Sequence, residues 1–122
     1  SRMKTNQLTG PALDWAVARA NGHIDNETII RRLEPDEDGW RIAYSTDWAQ
    51  GGPIIERERV TLMYCEGEYI AGTNPECFDN QVFMYHKHYG PTPLIAAMRC
   101  YVASKLGDEV EVPSELLEVT TQ

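Results

Sequence analysis

The run Thr46-Asp47-Trp48-Ala49-Gln50-Gly51-Gly52-Pro53 carries the residue types best suited to holding a small molecule. Two adjacent glycines leave backbone amides uncovered and accept left-handed dihedrals, which is how a loop forms an anion-binding nest. An indole beside such a loop can stack on a base or sugar face. Gln50 both donates and accepts, and Asp47 can accept from a ribose hydroxyl or a base edge. The plainer reading of the same residues is a tight turn with a packed Trp48. Because functional groups concentrate on loops of this kind, Thr46, Asp47, Trp48, Gln50, Gly51 and Gly52 are ligand-binding candidates.

The second candidate is the amino end of a helix that starts at Thr92-Pro93, where the helix dipole and free amides favour phosphate. Thr92 competes as an N-cap and Pro93 has no N–H, so the donors are fewer. Arg99 lies about two turns further on and can flank the same side, so Thr92 and Arg99 join the candidate list. His86-Lys87-His88 would put two imidazoles on one strand face, but no third ligand has zinc spacing, and the three cysteines show no CxxC pair. Arg57 and Arg59 would share a strand face and read as surface ion-pair partners. The chain holds no P-loop, GxGxxG, GxSxG or HExxH. No catalytic residue, metal or cofactor is therefore expected.

These groups need elements to position them. Gly90 to Gly107 is the clearest helix, with Thr92 as cap, Pro93 at the first position and Gly107 past the end. Leu94, Ile95, Met98, Tyr101, Val102 and Leu106 repeat every three or four residues along it. A second helix spans Leu8 to Gly22, capped by Thr9, with Leu8 and Leu13 as a hydrophobic staple and Trp15 at the edge of its apolar face. Thr28-Ile29-Ile30 suits a strand or a short helix. Trp40, Ile42 and Tyr44 alternate with Arg41 and Ala43 as a half-buried strand does. Ile54 to Cys65 reads as a strand apolar on both faces, hence central in a sheet. Glu66-Gly67 turns it into Glu68 to Ala71. Gln81 to Tyr89 gives another strand, and Glu109 to Val112 an edge strand. The expected fold is α+β: one small domain over 3–122, a mostly antiparallel sheet packed by helices at about 8–22 and 92–106.

Composition narrows the function. The chain has 122 residues, 42% of them hydrophobic, enough for one core. Nineteen acidic residues against eleven basic ones give a net charge of −8, which disfavours non-specific nucleic-acid binding. An acidic surface still allows a basic protein partner, or an anionic ligand where the local charge is positive. With no signal peptide or long apolar run, a soluble cytosolic protein with no membrane contact is expected. Ser1 and Arg2 ahead of Met3 read as an expression scar.

Three stretches together carry a resemblance. Leu8-Thr-Gly-Pro-Ala-Leu-Asp-Trp-Ala-Val-Ala18, Ser45-Thr-Asp-Trp-Ala-Gln-Gly-Gly-Pro-Ile-Ile-Glu-Arg57 and Gly90 to Gly107 with Asp108 to Pro113 resemble the NinX-type proteins of lambdoid phages and prophages. The matched blocks cover about half the chain. The family pattern has a Pro-Ser insertion between Tyr44 and Ser45 that this chain lacks. The resemblance implies an accessory phage product in the host cytoplasm and supplies no catalytic residues. By analogy with other small phage proteins, it leads to a non-enzymatic binder that sequesters a phosphorylated, nucleotide-like molecule, such as a host immune signal. A homo-oligomer would help to close its pocket. The alternative is an acidic interaction module for a host or phage protein of DNA metabolism or defence.

Overall fold

The architecture is built around the helix that the sequence marks most clearly. It runs Pro93–Leu106, and the Thr92 hydroxyl accepts the amide of Ile95 at 3.1 Å. The computed structural model describes residues 1–120, and they form one α+β domain. In chain order the elements are β1 (Arg2–Lys4), α1 (Gly10–Ala20), α2 (Asn26–Arg32), α3 (Trp48–Glu58), β2 (Thr61–Cys65), β3 (Glu68–Gly72), β4 (Glu76–Phe78), β5 (Gln81–Phe83), β6 (His88–Gly90), α4 (Pro93–Leu106), β7 (Glu109–Glu111) and α5 (Ser114–Thr120).

Helix α4 is buried on more sides than its apolar stripe implies. Ala97, Met98, Tyr101 and Val102 join Leu13, Ala16 and Val17 of α1 in the main core. On the other side, Ala96 and Cys100 meet Ala71 of β3. A helix held between two layers is apolar nearly all round. Leu106 is the exception and lies exposed. Gly90 of β6 touches α4 so closely that a Cβ there would stand 2.6 Å from the Ala96 nitrogen. Leu8, Leu13 and Trp15 are buried, and Trp15 also donates to Asn26 Oδ1 at 3.1 Å, tying α1 to α2.

All strand pairs are antiparallel, but they form three small sheets: β1-β7, β2-β3-β6 and β4-β5. The Glu66-Gly67 hairpin is as expected, with both residues at positive φ (51° and 89°). Strand β1 was not foreseen; it partners the expected β7.

Three elements differ from the sequence reading, and a fourth was open. Thr28-Ile29-Ile30 takes the helix of its two alternatives, because Asp25 caps α2 by accepting the amide of Glu27. Residues 81–89 do not make one strand. His86 sits at φ 55°, which breaks the extended run into β5 and β6 and ends the shared face of His86 and His88. Strand β2 begins at Thr61 and lies at a sheet edge rather than its centre. The Gly-Gly-Pro bend is the largest correction: it is the first half of α3. Pro53 removes one amide in the helix interior, a real cost, but the buried Ile54 and the Asp47 cap outweigh it. Arg57 and Arg59 consequently share no strand. Arg57 donates to Tyr101 Oη at 3.1 Å and Asn21 Oδ1 at 3.0 Å, and Arg59 ends α3 at φ 54°.

Candidate functional site

Most of the residues expected to bind a ligand are occupied in holding the fold, while Trp48 stays exposed. Asp47 caps α3, its carboxylate accepting from the Ala49 amide at 3.0 Å and from Gln50 Nε2 at 3.3 Å. The Gln50 side chain clasps the preceding segment: Oε1 accepts the Ala43 amide and Nε2 donates to the Arg41 carbonyl, both at 2.8 Å. The amides of Thr46 and Gly51 are spent on the Ala43 and Asp47 carbonyls. Gly51 is buried, and a Cβ there would come within 2.5 Å of the Tyr44 oxygen and 2.6 Å of Leu94 Cδ2. Gly52 lies inside the helix beside the ring of the exposed Trp48.

The bend and the start of α4 therefore do meet, through Gly51 and Leu94. They meet in van der Waals contact, where a hollow was expected. Thr92 is used as the cap of α4. Arg99 is committed to backbone carbonyls: Nε donates to the Leu8 carbonyl at 2.8 Å and Nη1 to the Tyr89 carbonyl at 2.7 Å. Burial pulls its guanidinium below the usual arginine range.

A different site is built by the segment that reads as a strand. Among the described residues Trp40 to Ser45 has no strand partner, yet its backbone is pinned from four directions. The Trp40 amide donates to Asp36 Oδ1 at 2.9 Å, Ile42 to the Arg32 carbonyl at 2.8 Å, Ala43 to Gln50, and Ser45 to the buried Asp14 Oδ1 at 2.8 Å. Backbone amides removed from water need acceptors, and here side chains and loop carbonyls replace the ladder. The expected strand is absent and so is its alternation: Ile42, Ala43 and Ser45 are all buried, Tyr44 is half-buried and Trp40 is outermost.

Between this segment and α2 lies a cleft of about 330 Å³. Ile29 and Ile42 are buried at its base, while His23, Ile24, Arg32 and Trp40 surround it. Trp40 is 49% exposed. A second cavity, about 600 Å³, lies beyond, lined by Arg31, Glu34, Pro35 and Asp36, and it shares Arg32 and Trp40 with the first. The Arg32 guanidinium makes no hydrogen bond or ion pair among the described residues. On the rim, the Thr28 hydroxyl bonds Asp25 at 2.5 Å and holds that carboxyl below its usual range. The arrangement offers a flat apolar face, an uncommitted cation and a polar rim, a pattern suited to a ring bearing a negative charge. Trp40 and Arg32 were missed because each looked structural. The signal lay in an indole placed directly after the acidic Glu34–Gly39 turn, close to two adjacent arginines.

The histidines separate. His88 is buried, with Nδ1 3.0 Å from Asn6 Oδ1, and burial lowers its pKa against the opposing pull of Asp108. His86 is exposed and joins it at a small cavity of about 140 Å³. Among the described residues no group of three or more His, Cys, Asp or Glu side chains could hold a metal ion. Nor, among them, is any helix long and apolar enough to cross a membrane.

A family model described as Bacteriophage P22, NinX matches residues 4–105. No curated protein matches the chain.

Proposed function

Taking as premise the bacteriophage P22 NinX family, to which this chain belongs, we propose a non-enzymatic phage protein that captures a small, flat, anionic, nucleotide-like molecule at the Trp40 cleft. The observation that carries this reading is the wall shared by the two cavities, an indole half open to solvent beside the unpaired guanidinium of Arg32. A base would stack on Trp40, a contact of about 1–3 kcal/mol. Its phosphate would meet Arg32, the geometry that a guanidinium fork suits best. On a chain of net charge −8, Arg31 and Arg32 set two cations here among the carboxylates of Asp25, Glu34 and Asp36, which line the same cavities. Withdrawing a host signal of this class from solution would counter host defence without any chemistry on the ligand.

The test is to load the protein with linear and cyclic mono- and dinucleotides, remove free ligand, then denature the complex. Recovery of one class of nucleotide, stoichiometric and chemically unchanged, supports capture. Recovery of a cleaved product would make the protein an enzyme. Failure of every nucleotide to be retained would leave the cleft to a protein partner, and capture of a small ligand would be wrong.

A further inference from the structure

Strand β2 has the sequence of a central strand and the position of an edge strand. Its five residues, Thr61-Leu62-Met63-Tyr64-Cys65, carry no charge, no proline and no bulge. Monomeric proteins guard an open edge with such devices, because an unpaired row of amides and carbonyls templates further pairing. Among the described residues, no backbone or side-chain hydrogen bond closes the outer edge of β2.

The sheet register sharpens this. Met63 pairs with Ile70 and Ile70 with Tyr89, so these three side chains form one row across the outward face. Leu62, Ala71 and His88 form the row turned toward α4. The outward row is only partly covered: Met63 is 44% exposed and Tyr89 38%. Tyr64, at the open edge, is 63% exposed although its neighbour Leu62 is packed against the core. The β4-β5 ribbon starts from the same face, since Met84, next to Phe83, covers Gly72. A two-stranded ribbon is marginal alone, and every residue of this one is exposed, Phe78 at 57% and Phe83 at 43%.

We propose that β2 pairs antiparallel with β2 of a second copy of this chain, about a two-fold axis through Met63. A strand paired with its own copy in antiparallel sense satisfies a two-fold operation by construction. Centring on Met63 puts all five residues in register: Met63 opposite Met63, Leu62 opposite Tyr64, Thr61 opposite Cys65. The outward row then runs unbroken through both subunits, from Tyr89 through Ile70 and Met63 to their counterparts. Leu62 of one copy lies against the exposed Tyr64 of the other. The six-stranded sheet makes β2 central, which is what its two apolar faces suit. At ~150–250 Å² per aromatic side chain, Tyr64, Phe78, Phe83 and Tyr89 expose ~400 Å² together. Met63, Val82 and the strand backbone carry this toward the ~800 Å² per partner of a standard interface.

Sedimentation and light scattering on the purified chain test the assembly, with circular dichroism to confirm that each variant folds. The wild type is expected at twice the 13.8 kDa of the chain. Met63→Lys, an outward-facing change that sets two like charges opposite each other, is expected to halve that mass while the fold persists. In a Cys65→Ser, Cys77→Ser background, Met63→Cys is expected to yield a disulfide-linked dimer under mild oxidation, since paired residues sit within bonding reach. A wild type that stays monomeric at all concentrations would overturn the proposal. So would a dimer that Met63→Lys leaves intact and Met63→Cys fails to link.

Discussion

The buried carboxyl of Asp14, on α1, accepts the backbone amide of Ser45 at 2.8 Å. That bond fixes the end of the segment whose other end presents Trp40. Burial holds the Asp14 carboxyl above the usual carboxylate range. Between the ordinary carboxylate pKa and the raised one, the folded chain keeps a proton that the unfolded chain releases. Its favourable contribution is therefore complete below the unfolded pKa and is lost as pH rises through the folded one.

Asp14→Asn keeps an oxygen for the Ser45 amide and removes the titration. It is expected to match or exceed wild-type stability at neutral pH, with a lead that shrinks toward acid. Asp14→Ala leaves the amide without an acceptor and should cost about 1–3 kcal/mol. Urea titrations of both variants at a series of pH values check this. An asparagine variant whose advantage grows on acidification would contradict the assignment.

The two adjacent glycines should behave in opposite ways. Gly51→Ala drives a Cβ into the Tyr44 carbonyl and Leu94, so a loss of about 1–3 kcal/mol is expected. Gly52→Ala meets only the Trp48 ring, at 3.8 Å, and lies inside a helix. It should gain about 0.5–1 kcal/mol through the unfolded chain. Thermal melts of the pair check both signs.

That contrast shows what the sequence could and could not say. Helix α4 was legible because its cap, proline and terminal glycine are local signals, and the β2-β3 hairpin because Glu66-Gly67 is one. Helix α3 was not, since Gly-Gly-Pro is a local signal against helix, overridden by the contact of Gly51 with Tyr44 and Leu94. The alternation at Trp40, Ile42 and Tyr44 gave neither the element nor the faces, since Ala43 is buried beside Ile42 while Trp40 is exposed. Its amides are satisfied by Asp14, Asp36 and Gln50, residues that no short-range pattern links to it. The candidate site followed the same division: the glycines drew attention as flexible, and Gly51 serves close packing while Gly52 is an ordinary helical position.

Arg99→Ala removes donors to the Leu8 and Tyr89 carbonyls. Hydrogen bonds to a charged group contribute about 1.5–3 kcal/mol, so stability should fall by about that amount. Nucleotide affinity, measured on the folded fraction, should not change. A fall in affinity with stability intact would return Arg99 to the binding site.

The thiols should divide by exposure. Cys65 and Cys77 are exposed, whereas Cys100 is buried between α4 and β3 and its pKa is pushed up to about 11. Titration with an aromatic disulfide reagent at neutral pH is expected to modify two thiols in the native chain and three after denaturation, because the thiolate is the reactive form. Rapid reaction of all three would show that the α4–β3 contact opens readily.

The claim that Trp40 forms the binding face is tested most directly by calorimetric titration of wild type, Trp40→Ala and Trp48→Ala with the nucleotide class that the wild type retains. Both indoles are exposed, so neither change should unfold the chain. Loss of one stacking contact predicts roughly tenfold or greater weakening for Trp40→Ala and wild-type affinity for Trp48→Ala. Weakening by Trp48→Ala with Trp40→Ala unaffected would contradict the account and place the ligand on α3.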